Sequence, residues 1–423
     1  MRGIIPSILV ALSVASRIVA EDIKYCNQTS HCPEAYPCCT TDGVCGTGSY
    51  CMGGCDGRYS FNLTACVPQP VCQSGKYELK AEDMERTEKY LGSTNDTLWT
   101  YTGNVLDYNG TVLLAMPQNS TGTVLSSAFY VWYGKVSARF KSSHNAGVIS
   151  SSILYSNVED EIDVEFIGSA LKQPQSNFYY QGLLNYTNEV NLSASNTYED
   201  WHTYEVDWKE ESITWSIDGV QQRVLKKADT FNITTKQYMF PQTPSRIQLS
   251  IWAGGDSSNS QGIIDWAGGE IDWDASDFED PGYLYAAVDY IEVECYEPPA
   301  GTKIEGNTSY IYTSKKNFTQ SSIMLTDNAT ILDKFDETGW NIFKSDDDNG
   351  QNHTGSSGSN ERNNSQDSSG HSTYTSTSLP AGYSTEFFQD INTAFSDSSY
   401  SNIGVIRTVP HLGLFSWFLV YLF

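Results

Sequence analysis

Three acidic side chains at every second position of residues 161–165 have the type and spacing that could do chemistry. Acidic and apolar residues alternate there, in the order Glu161, Ile162, Asp163, Val164, Glu165 and Phe166. Residues two apart on a β-strand project from the same face, so a strand would group three carboxylates and turn the apolar side chains towards a core. Crowding of like charges should raise the pKa of at least one carboxyl group. A proton held beside an ionised carboxylate is what cleavage of a glycosidic bond requires.

Two other interpretations of these carboxylates compete with catalysis. A transition-metal site would need His or Cys ligands, and none stands near residues 160–166. Calcium held by oxygen atoms alone stays open, and so does a solvated acidic strand at a sheet edge. Aromatic residues suited to stacking on sugar rings favour glycosidic chemistry: Tyr133, Trp201, Trp208, Trp252, Trp266 and Trp273. We predict neither a metal nor a cofactor.

The elements that must position these side chains are predicted to be β-strands. From about residue 77 to 298, short alternating apolar runs recur between turn signals such as Asp218-Gly219, and long amphipathic helical patterns are absent. So many strands predict an all-β fold, a β-sandwich or jelly roll. One run places four further side chains on a common strand face: Arg246, Gln248, Ser250 and Trp252.

Longer motifs make a resemblance to a known family specific. Residues 160–168 resemble the E-x-D-x-E signature of glycoside hydrolase family 16. Within that family the chain resembles the fungal Crh-type cell-wall transglycosylases in residues 133–136, 160–168, 201–204, 207–208 and 266–269. The resemblance runs from about residue 95 to 297. It implies a concanavalin-like jelly roll whose concave sheet forms a sugar cleft.

The resemblance also implies roles for individual residues. Glu161 would be the nucleophile, Glu165 the acid/base that donates a proton, and Asp163 the residue that hydrogen-bonds and tunes the nucleophile. Substrate-binding residues, besides Glu165, would be Tyr133, Arg246, Gln248, Trp252, Ile263 and Trp266. Relatives often carry Thr where this chain has Ile263, so a hydrogen bond to sugar would be missing there or supplied by the backbone.

The function that the resemblance implies is a retaining transfer reaction. The enzyme would cleave chitin and join it to a β-1,3- or β-1,6-glucan, cross-linking the fungal cell wall. Two alternatives stay open, a plain hydrolase of chitin or β-glucan and a wall sugar-binding protein without activity. The second has no use for three crowded carboxylates.

Cysteines divide the chain unevenly. Nine of the ten lie between residues 26 and 72, and the tenth is Cys295. In an oxidising compartment so dense a stretch is a disulfide-stapled module, too small to fold on a hydrophobic core alone. Because nine is an odd number, we predict that Cys72 pairs with Cys295 and ties the start of the next domain to its end.

The cysteine spacing resembles that of the hevein-like chitin-binding module. The pairing in that family would give Cys26–Cys39, Cys32–Cys45, Cys38–Cys51 and Cys55–Cys66. Its chitin-binding members hold sugar with a serine and three aromatic residues, and the matching positions here are Thr40, Asp42, Val44 and Tyr50. Only Tyr50 keeps an aromatic ring, so two stacking platforms are lost. Each is worth about 1 kcal/mol, and we therefore expect a folded module that binds chitin weakly.

Both ends of the chain predict processing. Residues 1–20 have the flanks and apolar run of a signal peptide, and dense glycosylation sequons agree with secretion. Residues 299–400, rich in Ser, Thr and Asn, predict a glycosylated stalk. Within it, residues 307–343 are mixed in composition, and partial folding of that stretch stays open. Residues 401–423 predict a glycosylphosphatidylinositol attachment signal. Its attachment site would be Asn402, with Ser396 or Ser398 as alternatives. The last apolar run of about 12 residues is short for the alternative, a spanning helix.

The predicted organisation is therefore a module in residues 21–72, a catalytic domain in residues 73–298, and the stalk and anchor signal after it. The chain has 423 residues and a net charge of −26. Such a charge repels phosphate backbones, which argues against nucleic-acid binding. We predict a monomer at the cell wall and outer face of the plasma membrane, attached to the membrane through its lipid anchor.

Overall fold

The computed structural model describes residues 23–339, which fold as an all-β protein. Most strands belong to two eight-stranded sheets that pack face to face. The sheet that contains residues 160–166 is called the site sheet here, and the other the back sheet. The predicted signal peptide, residues 340–400 of the predicted stalk and the predicted lipid-attachment signal lie outside the described residues.

The strands vary in length from two to thirteen residues. In chain order they are β1 (Cys38–Cys39), β2 (Cys45–Gly46), β3 (Gln69–Pro70), β4 (Gly75–Glu78), β5 (Met84–Arg86), β6 (Trp99–Thr102), β7 (Asn104–Tyr108), β8 (Thr111–Pro117), β9 (Gly122–Ser127), β10 (Gly134–Lys141), β11 (Val148–Ser156), β12 (Glu161–Ile167), β13 (Gln175–Tyr179), β14 (Val190–Asn191), β15 (His202–Lys209), β16 (Ser212–Ile217), β17 (Val220–Lys226), β18 (Phe231–Asn232), β19 (Gln237–Tyr238), β20 (Ser245–Ala253), β21 (Tyr283–Cys295), β22 (Lys303–Ile304), β23 (Ser309–Tyr312) and β24 (Ile323–Thr326).

The two sheets account for the alternating patterns in the sequence. The back sheet has the strand order β17-β16-β15-β10-β21-β8-β7, with β4 beside β21. The site sheet has the order β14-β13-β12-β11-β20-β9-β6-β5, antiparallel except between β5 and β6. Antiparallel sheets that pack on one side alternate apolar and polar residues. The predicted β-sandwich is confirmed.

The core between the sheets fixes which face of β12 carries its acidic residues. Ile162, Val164 and Phe166 are buried in this core. The ring of Phe166 lies 4.7 Å from that of Tyr204 and 5.4 Å from that of Phe140, both on the back sheet. Burying one large apolar side chain contributes ~1.5–3 kcal/mol, and a slip of one residue would expose all three. The carboxylates must therefore point away from the core.

Helices are few and short among residues 23–339. The one α-helix there is α1 (Gln261–Trp266), and none of the helices is long and apolar enough to cross a membrane. Ile263 of α1 packs with Ile149 and Trp252, outside the main core. The 3₁₀ helices are Gly48–Cys51, Ala81–Asp83, Thr87–Lys89, Tyr186–Asn188, Lys227–Thr230, Ser276–Phe278 and Gln320–Ser322.

The N-terminal module, residues 21–72, is built around its cysteines. Its two-stranded sheet, β1 and β2, joins cysteine-rich segments, and buried cysteines make up most of its small apolar clusters. The structure contains the four disulfides that the hevein-like resemblance implies: Cys26–Cys39, Cys32–Cys45, Cys38–Cys51 and Cys55–Cys66. A fifth disulfide joins Cys72 to Cys295 at the end of β21, so that it links the two ends of the catalytic domain.

The prediction that a stalk begins at residue 299 is wrong for the C-terminal segment, residues 299–339. Strands β22, β24, β23 and β3 form a four-stranded sheet in that order. Tyr310, Ile323 and Leu325 of this sheet are buried in the main core, and Tyr310 meets Trp132 edge to face at 5.6 Å. The segment is polar on average, but buried apolar residues stand two apart on β24, which pairs with β23, and β23 pairs with β3. Average composition concealed this pattern.

Candidate active site

Strand β12 lies between β11 and β13 and presents its three carboxylates on the face turned away from the core, called here the site face. Asp163 is fully buried, whereas Glu161 and Glu165 each keep 7% of their surface exposed. The two glutamates therefore reach solvent on either side of a buried aspartate. This arrangement matches the grouping predicted from the sequence.

Side chains of β13 stand opposite the carboxylates in register. Tyr179 pairs with Glu161, Asn177 with Asp163 and Gln175 with Glu165. Residues directly opposite each other in antiparallel strands share a face, so this polar row belongs to the site face. Asn177 Nδ2 donates a hydrogen bond of 2.8 Å to the Tyr179 hydroxyl oxygen. The site face is thus a polar surface on two neighbouring strands.

The surroundings of Asp163 favour the protonated form of its carboxyl group. Burial, and then the charges of Glu161 and Glu165, raise the pKa of Asp163 well above its usual value. A hydrogen bond with Glu161 raises that pKa further. A carboxyl group with such a pKa holds its proton near neutral pH. Burial and the three carboxylates also raise the pKa of Tyr179, which keeps that hydroxyl neutral.

A cation from the back sheet lies behind the carboxylates. Arg223 of β17 packs over the Trp215 ring at 4.5 Å, and Trp215 Nε1 donates to the Asp163 backbone oxygen at 2.9 Å. Burial lowers the pKa of Arg223 to about 10 despite the charge of Asp163. Its guanidinium group also donates to the Ser176 backbone oxygen at 2.8 Å. Trp215 therefore holds the middle of β12, and Arg223 holds the neighbouring strand β13.

Asp160, which precedes the strand, anchors the start of β12. It is fully buried, and one carboxylate oxygen accepts from the Gln242 amide at 2.9 Å and the Thr243 hydroxyl at 2.7 Å. The other oxygen accepts from the Gln181 amide at 3.0 Å. Burial raises the pKa of Asp160 to about 6, although these hydrogen bonds oppose the shift. Its role is to tie two loops to the strand.

Two tryptophans gather at the Glu165 end of the site face. Trp252 and Trp266 stack with ring centroids 6.1 Å apart and planes 29° apart. Trp266 Nε1 donates to Gln175 Oε1 at 2.8 Å, which links the pair to the residue opposite Glu165. The Trp252 indole N–H is buried and has no hydrogen-bond partner within residues 23–339. Flat rings beside an acidic strand suit the binding of a sugar ring.

Comparison with known proteins agrees with this geometry. The family model described as glycosyl hydrolases family 16 matches residues 93–268. Congo red hypersensitive protein 2 of Saccharomyces cerevisiae is 48% identical over 348 residues, which cover 81% of this chain and 74% of that protein. Crh-like protein 2 of Aspergillus fumigatus is 48% identical over 79% of this chain and 76% of its own length.

The chain belongs to glycosyl hydrolases family 16, among its Crh-like members. A solved structure, the apo Crh5 transglycosylase, is 28% identical with a TM-score of 0.51. That match covers 62% of this chain and 97% of the Crh5 chain. The resemblance inferred from the motifs is confirmed, and this family 16 protein is an enzyme of the glycosidase and transglycosylase type.

The structure does not place every predicted residue of this family 16 enzyme on the site face. Tyr133 keeps only 2% of its surface exposed in the main core, and its hydroxyl donates to Gln320 Oε1 at 2.6 Å. Its prediction as a substrate-binding residue is wrong, because the ring packs on Trp208 at 4.8 Å instead of facing a cleft. The buried side chain of Ile263 packs beneath the tryptophans and offers no hydrogen bond.

Other predicted residues do share the site face. Arg246 and Gln248 of β20 lie beside Tyr155 and Ile153 of β11, which in turn lie beside Glu161 and Asp163. Gln248 Nε2 donates to Ser126 Oγ at 3.2 Å, so its amide is oriented within the sheet. Of the six aromatic residues singled out in the sequence, only Trp252 and Trp266 belong to the cluster at the carboxylates.

Sequence reasoning missed several residues around the carboxylates. Tyr179, Asn177 and Gln175 could have been found by aligning β13 with β12 as a hairpin, because each acidic residue has one polar partner opposite. Arg223 and Trp215 gave no such signal, since they reach the carboxylates from the other sheet.

Proposed function

We propose that the protein is a retaining transglycosylase of the fungal cell wall that cleaves chitin and transfers the cleaved chain to β-glucan. The observation that carries the proposal is the row Glu161, Asp163 and Glu165 on one face of β12, with a proton held on the middle residue. Membership of family 16 supports the glycosidic chemistry. The Crh5 transglycosylase has been solved in complex with NAG, the sugar unit of chitin, which supports the donor.

In the first step the ionised Glu161 attacks the anomeric carbon of a chitin chain. A bond forms between its carboxylate oxygen and that carbon while the bond to the leaving oxygen breaks. Glu165 gives its proton to the leaving oxygen, so that the shortened chain departs as a neutral alcohol. Asp163 keeps its proton and donates a hydrogen bond to Glu161, which orients the nucleophile and lowers the repulsion along the row.

In the second step Glu165, now ionised, removes the proton from a glucan hydroxyl group. The resulting oxygen attacks the anomeric carbon and displaces Glu161, which restores both glutamates and inverts the configuration a second time. Trp252 and Trp266 would hold a sugar ring by stacking at the Glu165 end. Gln248 would donate to a hydroxyl group from β20, and no metal or cofactor takes part in either step.

The remaining predictions place this reaction in the cell wall. We propose that residues 1–20 direct secretion and that a lipid added near Asn402 anchors the enzyme at the outer face of the plasma membrane. The anchored enzyme would act as a monomer on chitin and on β-1,3- or β-1,6-glucan. Residues 340–400 would extend it from the membrane as a glycosylated stalk.

The test is to incubate the secreted chain with chitin oligosaccharides and labelled glucan oligosaccharides and to analyse the products by mass spectrometry. Hybrid products are expected. Shortened chitin without hybrids would replace transfer by hydrolysis, because water would then resolve the intermediate. Unchanged oligosaccharides would leave a sugar-binding protein and defeat the proposal.

A further inference from the structure

The N-terminal module is docked along one edge of the site face. At this edge β11 ends, β12 begins, β13 ends and β20 begins. Asn157, just after β11, accepts hydrogen bonds at Oδ1 from the Gly54 amide at 3.0 Å and from the Tyr130 hydroxyl at 2.8 Å. A module that was only tethered to the domain would leave these polar groups of the edge to solvent.

A charged contact fixes the module to the same edge. Arg58 Nη2 lies 2.6 Å from Glu159, just before β12, and 2.8 Å from Asp56 of its own module. Its Nη1 donates to the Gln181 backbone oxygen, just after β13, at 3.2 Å. The three charged side chains keep 14% or less of their surface exposed. Buried ion pairs of this kind require fixed geometry.

The C-terminal segment also binds the module. The Gly48 amide donates to the Glu337 backbone oxygen at 2.7 Å, and the Gly339 amide donates to the Ala65 backbone oxygen at 2.8 Å. Leu332 is buried in an apolar cluster that includes Cys38 and Cys51. The segment also enters the main core through β23 and β24, so it joins module and catalytic domain into one body.

This docking brings the module into contact with a residue of the site face. Arg246 of β20 lies opposite Tyr155 of β11, which lies opposite Glu161 of β12 on its other side. The guanidinium group of Arg246 lies against Gly53 of the module. A Cβ atom at Gly53 would stand 2.3 Å from Arg246 Nη1 and 2.5 Å from Cζ. Gly53 has an ordinary backbone conformation, so only the missing side chain leaves room for the guanidinium group.

From this geometry we infer that the N-terminal module forms one wall of the substrate site, where its Gly53–Gly54 turn positions Arg246 to bind a sugar chain. The inference rests on the proposed function. The ligand is a neutral β-linked polysaccharide, because a guanidinium group donates to hydroxyl and acetamido oxygens. The chitin donor and the glucan acceptor both carry hydroxyl oxygens, whereas chitin alone carries acetamido oxygens, and the experiment distinguishes the two chains.

Gly53→Ala is the direct test because the three atoms nearest to the added methyl group all belong to the guanidinium group of the flexible Arg246 side chain. In the full secreted chain we expect an unchanged melting temperature, an unchanged kcat and about a tenfold rise in KM for one of the two substrates. Gly57→Ala is the matched control. Its Cβ atom would stand 3.2 Å from a Phe318 ring atom, and no Arg246 atom is among its near neighbours.

Calorimetry separates this inference from the proposed function. Chitin and glucan oligosaccharides are titrated separately into the Glu161→Gln chain, with and without Gly53→Ala. If Gly53→Ala weakens the binding of either oligosaccharide, the module forms a wall of the substrate site, even if the wild type makes no hybrid products. If Gly53→Ala changes the dissociation constant of neither oligosaccharide, the inference is overturned.

A second variant keeps the test decisive if Gly53→Ala lowers the melting temperature. Arg246→Gln should then raise KM for the same substrate, and the Gly53→Ala, Arg246→Gln double variant should raise it no further than Arg246→Gln alone. Losses that multiply in the double variant would show that Gly53 acts without Arg246 and would refute the positioning role.

Discussion

The N-terminal module and the site sheet both carry sugar-site motifs, but different forces hold their surfaces in place. Four disulfides define the module, and its apolar clusters consist largely of the cysteines themselves. The carboxylates of β12 instead sit on a strand whose other face fills the main core. A covalent frame preserves a fold while its surface residues change. A strand with a buried face preserves the orientation of its exposed residues as well.

This difference has a consequence for activity. Substitution of a β12 carboxylate should remove turnover and leave the fold, because the core side of the strand is untouched. Substitution on the surface of the module should instead change affinity, by about an order of magnitude. Variants of both surfaces test this contrast.

Glu161→Gln should lower kcat by at least about a thousandfold, since it removes the charge of the nucleophile and keeps its shape. The melting temperature should not fall. Glu205→Gln, on β15 of the back sheet, is the matched control and should retain full activity. Azide added to Glu161→Ala should yield a glycosyl azide of inverted configuration, observable by NMR. Undiminished transfer by Glu161→Gln would exclude Glu161 as the nucleophile.

Glu165→Gln should slow the reaction about 10²- to 10⁴-fold on chitin oligosaccharides, because it removes the proton donor. Substrates with an activated leaving group need little protonation, so they should lose much less. The measurement is kcat/KM for an aryl glycoside and for the matching oligosaccharide. Equal losses on both would contradict an acid/base role.

Asp163→Asn should change the pH profile more than the maximal rate. The raised pKa of Asp163 keeps its proton at neutral pH, and a rise in pH through that pKa places a second negative charge beside the ionised Glu161. Wild-type activity should therefore fall on the alkaline side. Asn stays neutral, so the alkaline limb of kcat/KM should move to higher pH, with a loss of about tenfold at the optimum.

The control for this profile is Asp207→Asn on β15 of the back sheet, whose carboxylate accepts from Tyr296 at 2.9 Å. Its profile should match that of the wild type. If the alkaline limb of Asp163→Asn lies at the same pH as that of the wild type, the limb reports the titration of Glu165 alone, and the role given to Asp163 is wrong.

Local and covalent patterns made part of this structure predictable. The alternation of residues 161–166 gave both the strand and its buried face, because the period of a strand is written in consecutive residues. The odd number of cysteines before residue 73 gave the pairing of Cys72 with Cys295. Each of these inferences needed only residue types and spacing.

Contacts between distant segments were not predictable in this way. Tyr133 lies in a family motif, yet its partner is Gln320 in a segment that composition assigned to a stalk. Arg223 approaches Asp163 from the back sheet, and Gly53 meets Arg246 only because the module is docked. Such contacts depend on packing between elements, which sequence spacing does not encode.

The smallest predicted effect concerns chitin binding by the module. Asp42 is exposed and Val44 half-buried, and the double variant Asp42→Trp, Val44→Trp restores aromatic residues at both positions. Two stacking faces at about 1 kcal/mol each should raise retention of the full chain on chitin beads about tenfold or more. Glu161→Gln in both chains prevents the beads from being digested, and peptide mapping checks the disulfides.

Tyr25 is an alternative aromatic residue through which the unmodified module could bind chitin. Tyr25 is 47% exposed and pairs with Val44 in a β-bridge, so it supplies an aromatic ring beside the altered platform. If the unmodified chain binds as firmly as the double Trp variant, Tyr25 and Tyr50 are the candidates for recognition, and Tyr25→Ala should then release it from the beads. Such binding would mean that the aromatic ring that contacts sugar has moved from positions 42 and 44 to the neighbouring position 25. The backbone would stay the same, because the four disulfides fix it.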